Sequence, residues 1–265
     1  MNARVEISPQ ATVDRPLINC VDLGHVYDSG RGRTTALGNV SLTIDRGEFV
    51  CVLGPSGCGK TTLLNILAGF VVPSHGDILV NGSAIEGPSA ERGVVFQDYS
   101  LFPWLTAQAN VEFGLRMAGR AARERGEIAR DLLRLVGLPE AGAKYPFELS
   151  GGMKQRIAIA RALATRPSLL LMDEPFAALD AMTRNSLQAR LIDIHRQEQP
   201  TILFVTHNIG EALFLASRLI VMSANPGRIV EDIRVDLPRP RRRTSIAFNE
   251  LYEHIARAIG LDTAE

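Results

Sequence analysis

A glycine-rich stretch of the sequence, GPSGCGKTT at residues 54–62, has the residue types and spacing needed to bind phosphate groups. It matches the pattern G-x-x-x-x-G-K-[ST] and lies between an apolar run, FVCVL, and a helical pattern, LLNILAG. Glycines let backbone N–H groups converge on phosphate oxygens, and the N-terminal dipole of the following helix adds partial positive charge. Lys60 can reach the terminal phosphates, and the Thr61 hydroxyl can bind Mg²⁺.

The competing interpretation is a strand–turn–helix whose glycines only close a tight loop. A chance match in a chain of this length is rare, on the order of one in a hundred, so the pattern favours phosphate binding. The candidate phosphate-binding residues are Gly54, Pro55, Ser56, Gly57, Cys58, Gly59, Lys60, Thr61 and Thr62.

Two adjacent carboxylates follow a buried-looking apolar strand in LLLMDE, residues 169–174. Side chains alternate along a strand, so Asp173 can hold Mg²⁺ through water while Glu174 faces an attacking water as general base. A surface Asp-Glu pair at a strand end is the alternative, but a phosphate loop requires an acidic partner elsewhere in the chain. His207 follows the strand TILFV; a lone histidine there is more often structural, yet its position at the same sheet edge as Glu174 favours catalysis.

A second anion site is predicted at LSGGMKQR, residues 149–156, where Ser150 is placed to cap a helix. Gly151 and Gly152 leave bare N–H groups at the start of that helix. Taken alone, Ser-Gly-Gly would usually be only a helix start.

The elements that position these residues begin with a β-rich region. Strands are predicted at 17–27, 40–44, 48–53 and 76–82, the last closing in the hairpin signal Asn81-Gly82. A short apolar run at 94–96 stops at Gln97, and a helical pattern then continues to Ala164.

The helical stretch predicts an inserted subdomain at about 98–165. Within it, one face of a helix is predicted from Ile128, Leu132, Leu135 and Val136. Gly137 is placed to end that helix.

The following region alternates between helices and strands. A helix with Leu187, Leu191 and Ile194 on one side precedes the strands 201–205 and 218–222. Such alternation implies a mostly parallel sheet with ligands at the carboxyl ends of its strands.

The predicted C-terminal tail, 236–265, contains a basic cluster and a short helix. The cluster from Arg239 to Arg243 is of a kind that is most often solvated. An amphipathic helix that packs back on the body is predicted from four apolar residues, Phe248, Leu251, Ile255 and Ile259.

Composition limits the class of protein. With 265 residues and 46% apolar content the chain can bury a sizeable core, and 29 basic against 29 acidic residues argue against a nucleic-acid partner. No apolar stretch approaches the roughly 18 residues that span a bilayer, and residues 1–16 form an irregular segment without a hydrophobic signal, so we expect a cytosolic or peripheral protein. Three cysteines, Cys20, Cys51 and Cys58, are too scattered for a disulfide framework or a zinc site.

Together these motifs resemble the ATPase subunits of ATP-binding-cassette (ABC) transporters over almost the whole chain. GPSGCGKTT resembles the family's phosphate loop, LSGGM its signature, LLLMDEP its acidic strand and AALD its dimer-contact loop. The resemblance implies an α/β P-loop NTPase at 17–235, with a mostly parallel sheet, an antiparallel β subdomain and an inserted helical subdomain. Met153 departs from the commonest signature, which has Gln there; we expect no loss of hydrolysis, because phosphate contacts come from Ser150 and backbone N–H groups.

The resemblance also assigns roles. It implies ATP hydrolysis with Mg²⁺, adenine stacking on Tyr27, Gln97 as a metal and catalytic residue, and His207 as a switch. It implies a head-to-tail homodimer in which each ATP lies between residues 54–62 of one subunit and 150–152 of the other.

A narrower resemblance is carried by the stretches FQDYSLFPWLTAQANVEFGL, KYPFELSGGMKQR, MDEPFAALDAMTR and NPGRIVEDIRVDLPRPR, which look like bacterial importers for nitrate, alkanesulfonates and taurine. In that family a helix of the membrane permease inserts beside the glutamine loop, which places Leu101, Phe102 and Trp104 at the contact. The alternative is that these aromatics fill the core; the two are balanced for Phe102, and the interface is favoured for Trp104. The resemblance further implies an indirect solute-binding partner and a peripheral location on the cytoplasmic face of the membrane.

Two other functions remain to be weighed. One is a soluble cassette ATPase acting on the ribosome or DNA, which would usually carry two cassettes, a long coiled-coil insertion or a basic arm. The sequence argues against the first, since it has one phosphate loop, one signature and no charge excess. The other is a regulatory module that binds ATP without hydrolysis, which would be expected to lack Glu174 or His207, and both are present.

Overall fold

The computed structural model describes residues 15–30 and 32–260, so the expected irregular segment 1–16 lies outside the described residues except for Arg15 and Pro16. Within that range no helix has the length and apolar character needed to cross a bilayer. The strands are β1 Ile18–Ser29, β2 Gly32–Ile44, β3 Phe49–Leu53, β4 His75–Val80, β5 Ser83–Ala84, β6 Arg92–Val95, β7 Leu169–Asp173, β8 Thr201–Thr206, β9 Arg218–Ser223 and β10 Arg228–Arg234. The helices are α1 Lys60–Ala68, α2 Ala107–Met117, α3 Ala122–Leu135, α4 Gly151–Ala164, α5 Ala181–Glu198, α6 Ile209–Leu215 and α7 Ile246–Ala258, with short 3₁₀ turns at Pro139–Ala141 and Pro146–Glu148.

A six-stranded sheet with the order β10-β9-β3-β8-β7-β6 forms the centre of the fold. Its strands are parallel except for β10, which pairs antiparallel with β9 at the edge. Every residue of β3 and β8 is buried, as expected for a parallel sheet covered on both faces. The predicted α/β fold with a mostly parallel sheet is therefore confirmed.

The two faces of this sheet pack against different elements. Along β3, Phe49, Cys51 and Leu53 join a cluster with helices α2 to α7, whereas Val50 and Val52 join a cluster with α1 and the second sheet. Alternation along the strand thus places α1 and α4 on opposite faces.

The second sheet is antiparallel, with the order β2-β1-β4-β5, and confirms the β-rich opening. The hairpin predicted at Asn81-Gly82 joins β4 to β5, with positive φ at both residues. The strand predicted at 40–44 was too short, because β2 begins at Gly32 and pairs back onto β1, with Tyr27 opposite Thr34. Its first residues are polar and exposed, so the sequence carries no apolar alternation there.

In the sequence, helices α2, α3 and α4 lie between β6 and β7. They pack together and form the inserted helical layer. The helix predicted around Ile128 exists, and Gly137 follows it at φ 73°. The four residues predicted to share one face all pack against the core: Val136 is buried, and Ile128, Leu132 and Leu135 are partly buried beside the buried Ala129 and Leu133. Ile128, Leu132 and Leu135 also line an open groove, which leaves them partly exposed.

The C-terminal tail docks onto the body as far as residue 260; residues 261–265 of the predicted tail lie outside the described residues. Helix α7 buries Phe248 and Ile255, which confirms the predicted amphipathic helix. The expectation that the cluster Arg239 to Arg243 is solvated is wrong for Arg241, whose side chain is 9% exposed. Arg241 Nη1 donates to the carbonyls of Leu213 (2.7 Å) and Ala216 (2.5 Å) at the end of α6.

The charge on Arg241 is matched by the negative end of a helix dipole and not by a carboxylate. Nη2 donates to the Val235 carbonyl at 2.9 Å and Nε to the Leu237 carbonyl at 3.3 Å, which ties the chain after β10 to α6. Burial lowers the pKa of Arg241 to about 10, with the neighbouring Arg239 acting in the same direction.

Replacing Arg241 with Ala is expected to lower the free energy of unfolding by about 2–4 kcal/mol, since several buried carbonyls lose their donor. Chemical denaturation of the variant measures this. Arg242→Ala, at an exposed neighbouring position, is the matched control and should change stability little. Equal stabilities for the two variants would contradict the docking role of Arg241.

Candidate functional site

The glycine-rich loop lies between β3 and α1, as the sequence predicts. Gly57 and Gly59 have φ values of 80° and 88°, a region that favours glycine. Gly59 is the N-cap of α1, and no side chain caps that end of the helix. The first N–H groups of α1 are therefore available to a phosphate.

Lys60 lies across this loop. It is 6% exposed, and its Nζ donates to the carbonyls of Gly54 at 2.8 Å and Pro55 at 2.9 Å. Cys58 is fully buried: its Sγ lies 3.7 Å from Lys60 Nζ and its N–H donates to the Pro55 carbonyl at 3.3 Å, so Cys58 supports the loop from inside. The loop thus presents an ammonium group beside free backbone donors.

An oxygen-rich pair adjoins the loop. Thr61 Oγ1 donates to Asp173 Oδ1 at 3.3 Å, at the carboxyl end of β7. Burial raises the pKa of Asp173; the Thr61 hydrogen bond and Lys60 oppose this, and Glu174 adds to it. A hydroxyl and a carboxylate side by side are the ligands that Mg²⁺ prefers, so these residues fit the cation.

Glu174 and His207 meet at the ends of the neighbouring strands β7 and β8. His207 Nδ1 lies 3.0 Å from Glu174 Oε2. Glu174 has a positive φ of 41°, unusual for a residue other than glycine, and its N–H donates to the Val205 carbonyl at 3.0 Å. Such backbone strain is often held at functional sites, and here it occurs at the residue whose carboxylate contacts His207.

Tyr27 lies near the start of α1. Its ring is 42% exposed, its hydroxyl is 3.3 Å from Thr62 Oγ1, and the ring of His25 contacts it edge-on at 4.5 Å. An exposed aromatic face beside the phosphate loop can stack on a planar base.

The predicted second anion site begins α4. Ser150 caps the helix by accepting from the N–H of Met153 at 3.4 Å, and Gly151 and Gly152 form its first turn. Because α4 and α1 pack on opposite faces of the parallel sheet, the chain does not build one pocket from both helix starts. Gln97 is exposed just after β6, next to the strand that carries Asp173.

Sequence reasoning missed two buried polar residues that position these parts. Asn110, fully buried in α2, donates to the carbonyls of Phe102, Leu105 and Thr106 at 3.0–3.2 Å. Glu211, 6% exposed in α6, accepts from Thr206 and Gln188. The only signal for Glu211 is its N-x-x-E spacing from Asn208, which instead suggests an ordinary capping box.

Comparison with known proteins gives consistent matches. The family model described as ABC transporter matches residues 37–177. The chain is 48% identical over 231 residues to the nitrate import ATP-binding protein NrtD of Synechocystis sp., covering 86% of this chain and 87% of that protein. It is 49% identical over 219 residues to the taurine import ATP-binding protein TauB of Escherichia coli, covering 83% and 86%.

A solved structure is also similar. It is the dimeric, post-hydrolysis state of an ATP-binding cassette bound to ADP and Pi, with a TM-score of 0.74 and 32% identity. The match covers 82% of this chain and 98% of the other.

Proposed function

The chain belongs to the ABC transporter family, and we propose that it is the ATP-binding, ATP-hydrolysing subunit of an importer for nitrate, a sulfonate, taurine or a related small solute. The observation that carries this proposal is the convergence of three parts at one sheet edge: the phosphate loop, the Thr61–Asp173 pair and the Glu174–His207 pair. The similar nitrate and taurine proteins are named as import subunits, and no observation favours an ATPase that acts on the ribosome or DNA.

The positions of the side chains support a proposed role for each of them. Lys60 and the N–H groups at the start of α1 bind the phosphates, and Tyr27 stacks on the base. Thr61 and Asp173, with Gln97, hold Mg²⁺, which supplies positive charge to the phosphates when bound. Glu174 takes the proton of the attacking water, and His207 holds Glu174 in place through Nδ1.

The second half of each ATP site comes from another copy of the chain. In this assembly Ser150, Gly151 and Gly152 of one subunit face the phosphate loop of its partner. Two observations support it: the helix starts of α1 and α4 lie on opposite sides of the sheet, and the similar cassette structure is dimeric.

The permease contact lies at the aromatic loop that contains Phe102 and Trp104. Trp104 is 71% exposed, which supports the interface interpretation over burial in the core, whereas Phe102 is half-buried and packs on Phe113 at 4.5 Å. Asn110 accepts from the Phe102 N–H at 2.9 Å and fixes the loop from below. Leu101 packs against the core beside it. The protein is then peripheral, on the cytoplasmic face of the membrane, and meets the solute-binding protein only indirectly.

Replacing Trp104 with Ala should weaken binding to the permease and leave ATP hydrolysis by the isolated subunit unchanged. The reason is that an exposed, preorganised tryptophan contributes to an interface and little to the fold. Co-purification from the native membrane, which also identifies the permease and the binding protein, measures the association. Ile246→Ala, at a similarly exposed apolar residue of α7, is the control. A loss of stability of about 3–5 kcal/mol in Trp104→Ala would instead place the ring in the core.

Purified protein tests the function itself. We expect it to hydrolyse ATP, and removal of divalent cations with EDTA to stop turnover, because the Thr61–Asp173 pair then lacks its cation. Absence of ATP hydrolysis in the presence of Mg²⁺ and permease would contradict the proposed function.

A further inference from the structure

A buried carboxylate beside the Glu174–His207 pair has no part in the roles given so far. Glu211, in the first turn of α6, accepts from Thr206 Oγ1 at 2.6 Å and from Gln188 Nε2 at 2.8 Å. Burying an ionised carboxylate is costly unless every oxygen is satisfied, and here both oxygens have a donor. These hydrogen bonds therefore fix the positions of Thr206 and Gln188 as well as the position of Glu211.

These partners hold the backbone on both sides of His207. Thr206 precedes the histidine, and its hydroxyl also accepts from the N–H of Asn208 at 3.1 Å. Asn208 follows the histidine, and its Oδ1 accepts from the N–H of Glu211 at 2.9 Å. The segment 206–208 is thus closed into a loop by its contacts with Glu211, and His207 projects from it toward Glu174.

A small cavity of about 50 Å³ lies between Glu211 and the Glu174–His207 pair. Glu174, His207 and Glu211 all line it, together with Arg184, whose buried Nε has no hydrogen-bond partner among the described residues. Burial raises the pKa of Glu211, and the hydrogen bonds from Thr206 and Gln188 and the positive charge of Arg184 oppose this.

The same chain of contacts reaches the C-terminal tail. Gln188, fully buried in α5, accepts through Oε1 from Arg243 Nη2 at 2.5 Å. The guanidinium of Arg243 also lies 4.9 Å from the centre of the Phe214 ring on α6. Arg243 thereby connects the tail to the residue that contacts Glu211.

We propose that Glu211 is a positioning residue for His207 and that Gln188 and Arg243 extend this support to the C-terminal tail. The proposal rests on the ATPase function, in which His207 holds the general base. Glu211 touches neither ATP nor water in this scheme; it acts on hydrolysis through the direction in which His207 points. The tail is then a part of the hydrolytic machinery and not only a cover for α6.

Glu211→Gln is the informative substitution, because the amide keeps the size of the side chain but cannot accept hydrogen bonds from both Thr206 and Gln188. We expect kcat to fall about 10- to 100-fold, since a displacement of about 1 Å in a catalytic group can have an effect of this size. The Kd for ATP should not change, because the phosphate loop is untouched. Glu253→Gln, at an exposed glutamate of α7, is the matched control.

A double-mutant cycle separates positioning from a general structural role. In a His207→Ala background, Glu211→Gln should lower kcat no further, because the residue through which it acts is gone. An equal further loss in that background would overturn this proposal alone. A joint fall of ATP affinity and thermal stability in Glu211→Gln would reduce Glu211 to a folding residue and also overturn it. Normal turnover by His207→Ala would contradict the proposed role of His207 and this inference together.

The tail is tested with neighbouring arginines. Arg243→Ala should lower kcat about 3-fold, the size expected from one lost hydrogen bond, while Arg242→Ala should leave it unchanged. Equal turnover by the two variants would remove the tail from the proposed chain of support.

Discussion

Replacing Glu174 with Gln should leave ATP tightly bound while turnover falls about 10²- to 10⁴-fold, the usual effect of losing a positioned general base. The amide keeps the size of the carboxylate and can still accept from His207 Nδ1, which lies 3.0 Å from Oε2. What it loses is the ability to take a proton from water. Binding and hydrolysis are therefore expected to separate in this variant.

Lys60→Ala is expected to impair ATP binding and hydrolysis together, unlike Glu174→Gln. Lys60 Nζ is the cation over the loop, held there by the carbonyls of Gly54 and Pro55. Its removal should weaken ATP binding and abolish hydrolysis together, because the phosphates lose their nearest positive charge. Equilibrium binding of a fluorescent ATP analogue and steady-state phosphate release measure the two properties.

The surface offers a matched control for the Glu174 substitution. Glu231 Oε2 pairs with His254 Nε2 at 2.8 Å, between β10 and α7. Glu231→Gln removes a carboxylate from a similar glutamate–histidine pair away from the phosphate loop, and turnover should stay normal. Normal turnover by Glu174→Gln itself would remove Glu174 from the role of general base.

Much of the site could be predicted from the sequence because its parts are local. The phosphate loop follows from glycines, a lysine and a hydroxyl in fixed spacing, and Asp173 follows from an apolar strand that ends in carboxylates. The carboxyl ends of parallel strands lie at one edge, so the sequence placed Glu174 and His207 at the same sheet edge; the pairing of β7 with β8, which brings them into contact, is seen only in the structure.

The parts that the sequence could not predict depend on tertiary contacts. Arg241 lies in a run of arginines, a pattern that predicts exposure to solvent. Its guanidinium instead donates hydrogen bonds to carbonyls at the C-terminal end of α6. The degree of burial along α3 also depends on such contacts: Ala129 and Leu133 are buried, whereas Ile128 and Leu132 pack against the core but also line an open groove. Glu211 has the spacing of a capping residue, but its side chain turns toward Thr206 and Gln188 instead.

The second large effect concerns assembly. In the proposed dimer each ATP lies between the phosphate loop of one subunit and Ser150 to Gly152 of the other. Lys60→Ala and Gly151→Asp should then each inactivate a homodimer, because every site contains one defective half.

Gly151 is a better position for this test than Gly152. A Cβ at Gly151 would meet the hydroxyl at the end of the Tyr99 side chain at 2.9 Å, which a side-chain movement can relieve. A Cβ at Gly152 would lie 2.4 Å from Thr183 Cγ2, a closer contact with a short side chain near the start of α5. Gly151→Asp thus places a negative charge at the anion site with less disturbance of the fold, and a thermal melt verifies that the variant is folded.

Mixing the two inactive proteins should restore tight ATP capture at one site in each mixed dimer. Both lesions then fall in the same site, since the Lys60→Ala loop faces the Gly151→Asp helix, and the other site contains an intact loop and an intact helix start. Capture is measured as ATP retained per dimer at equilibrium, with each variant alone as the control, so that partial turnover does not affect the result. If each subunit built its site alone, no mixture could contain an intact site, and capture would stay at the level of the separate variants.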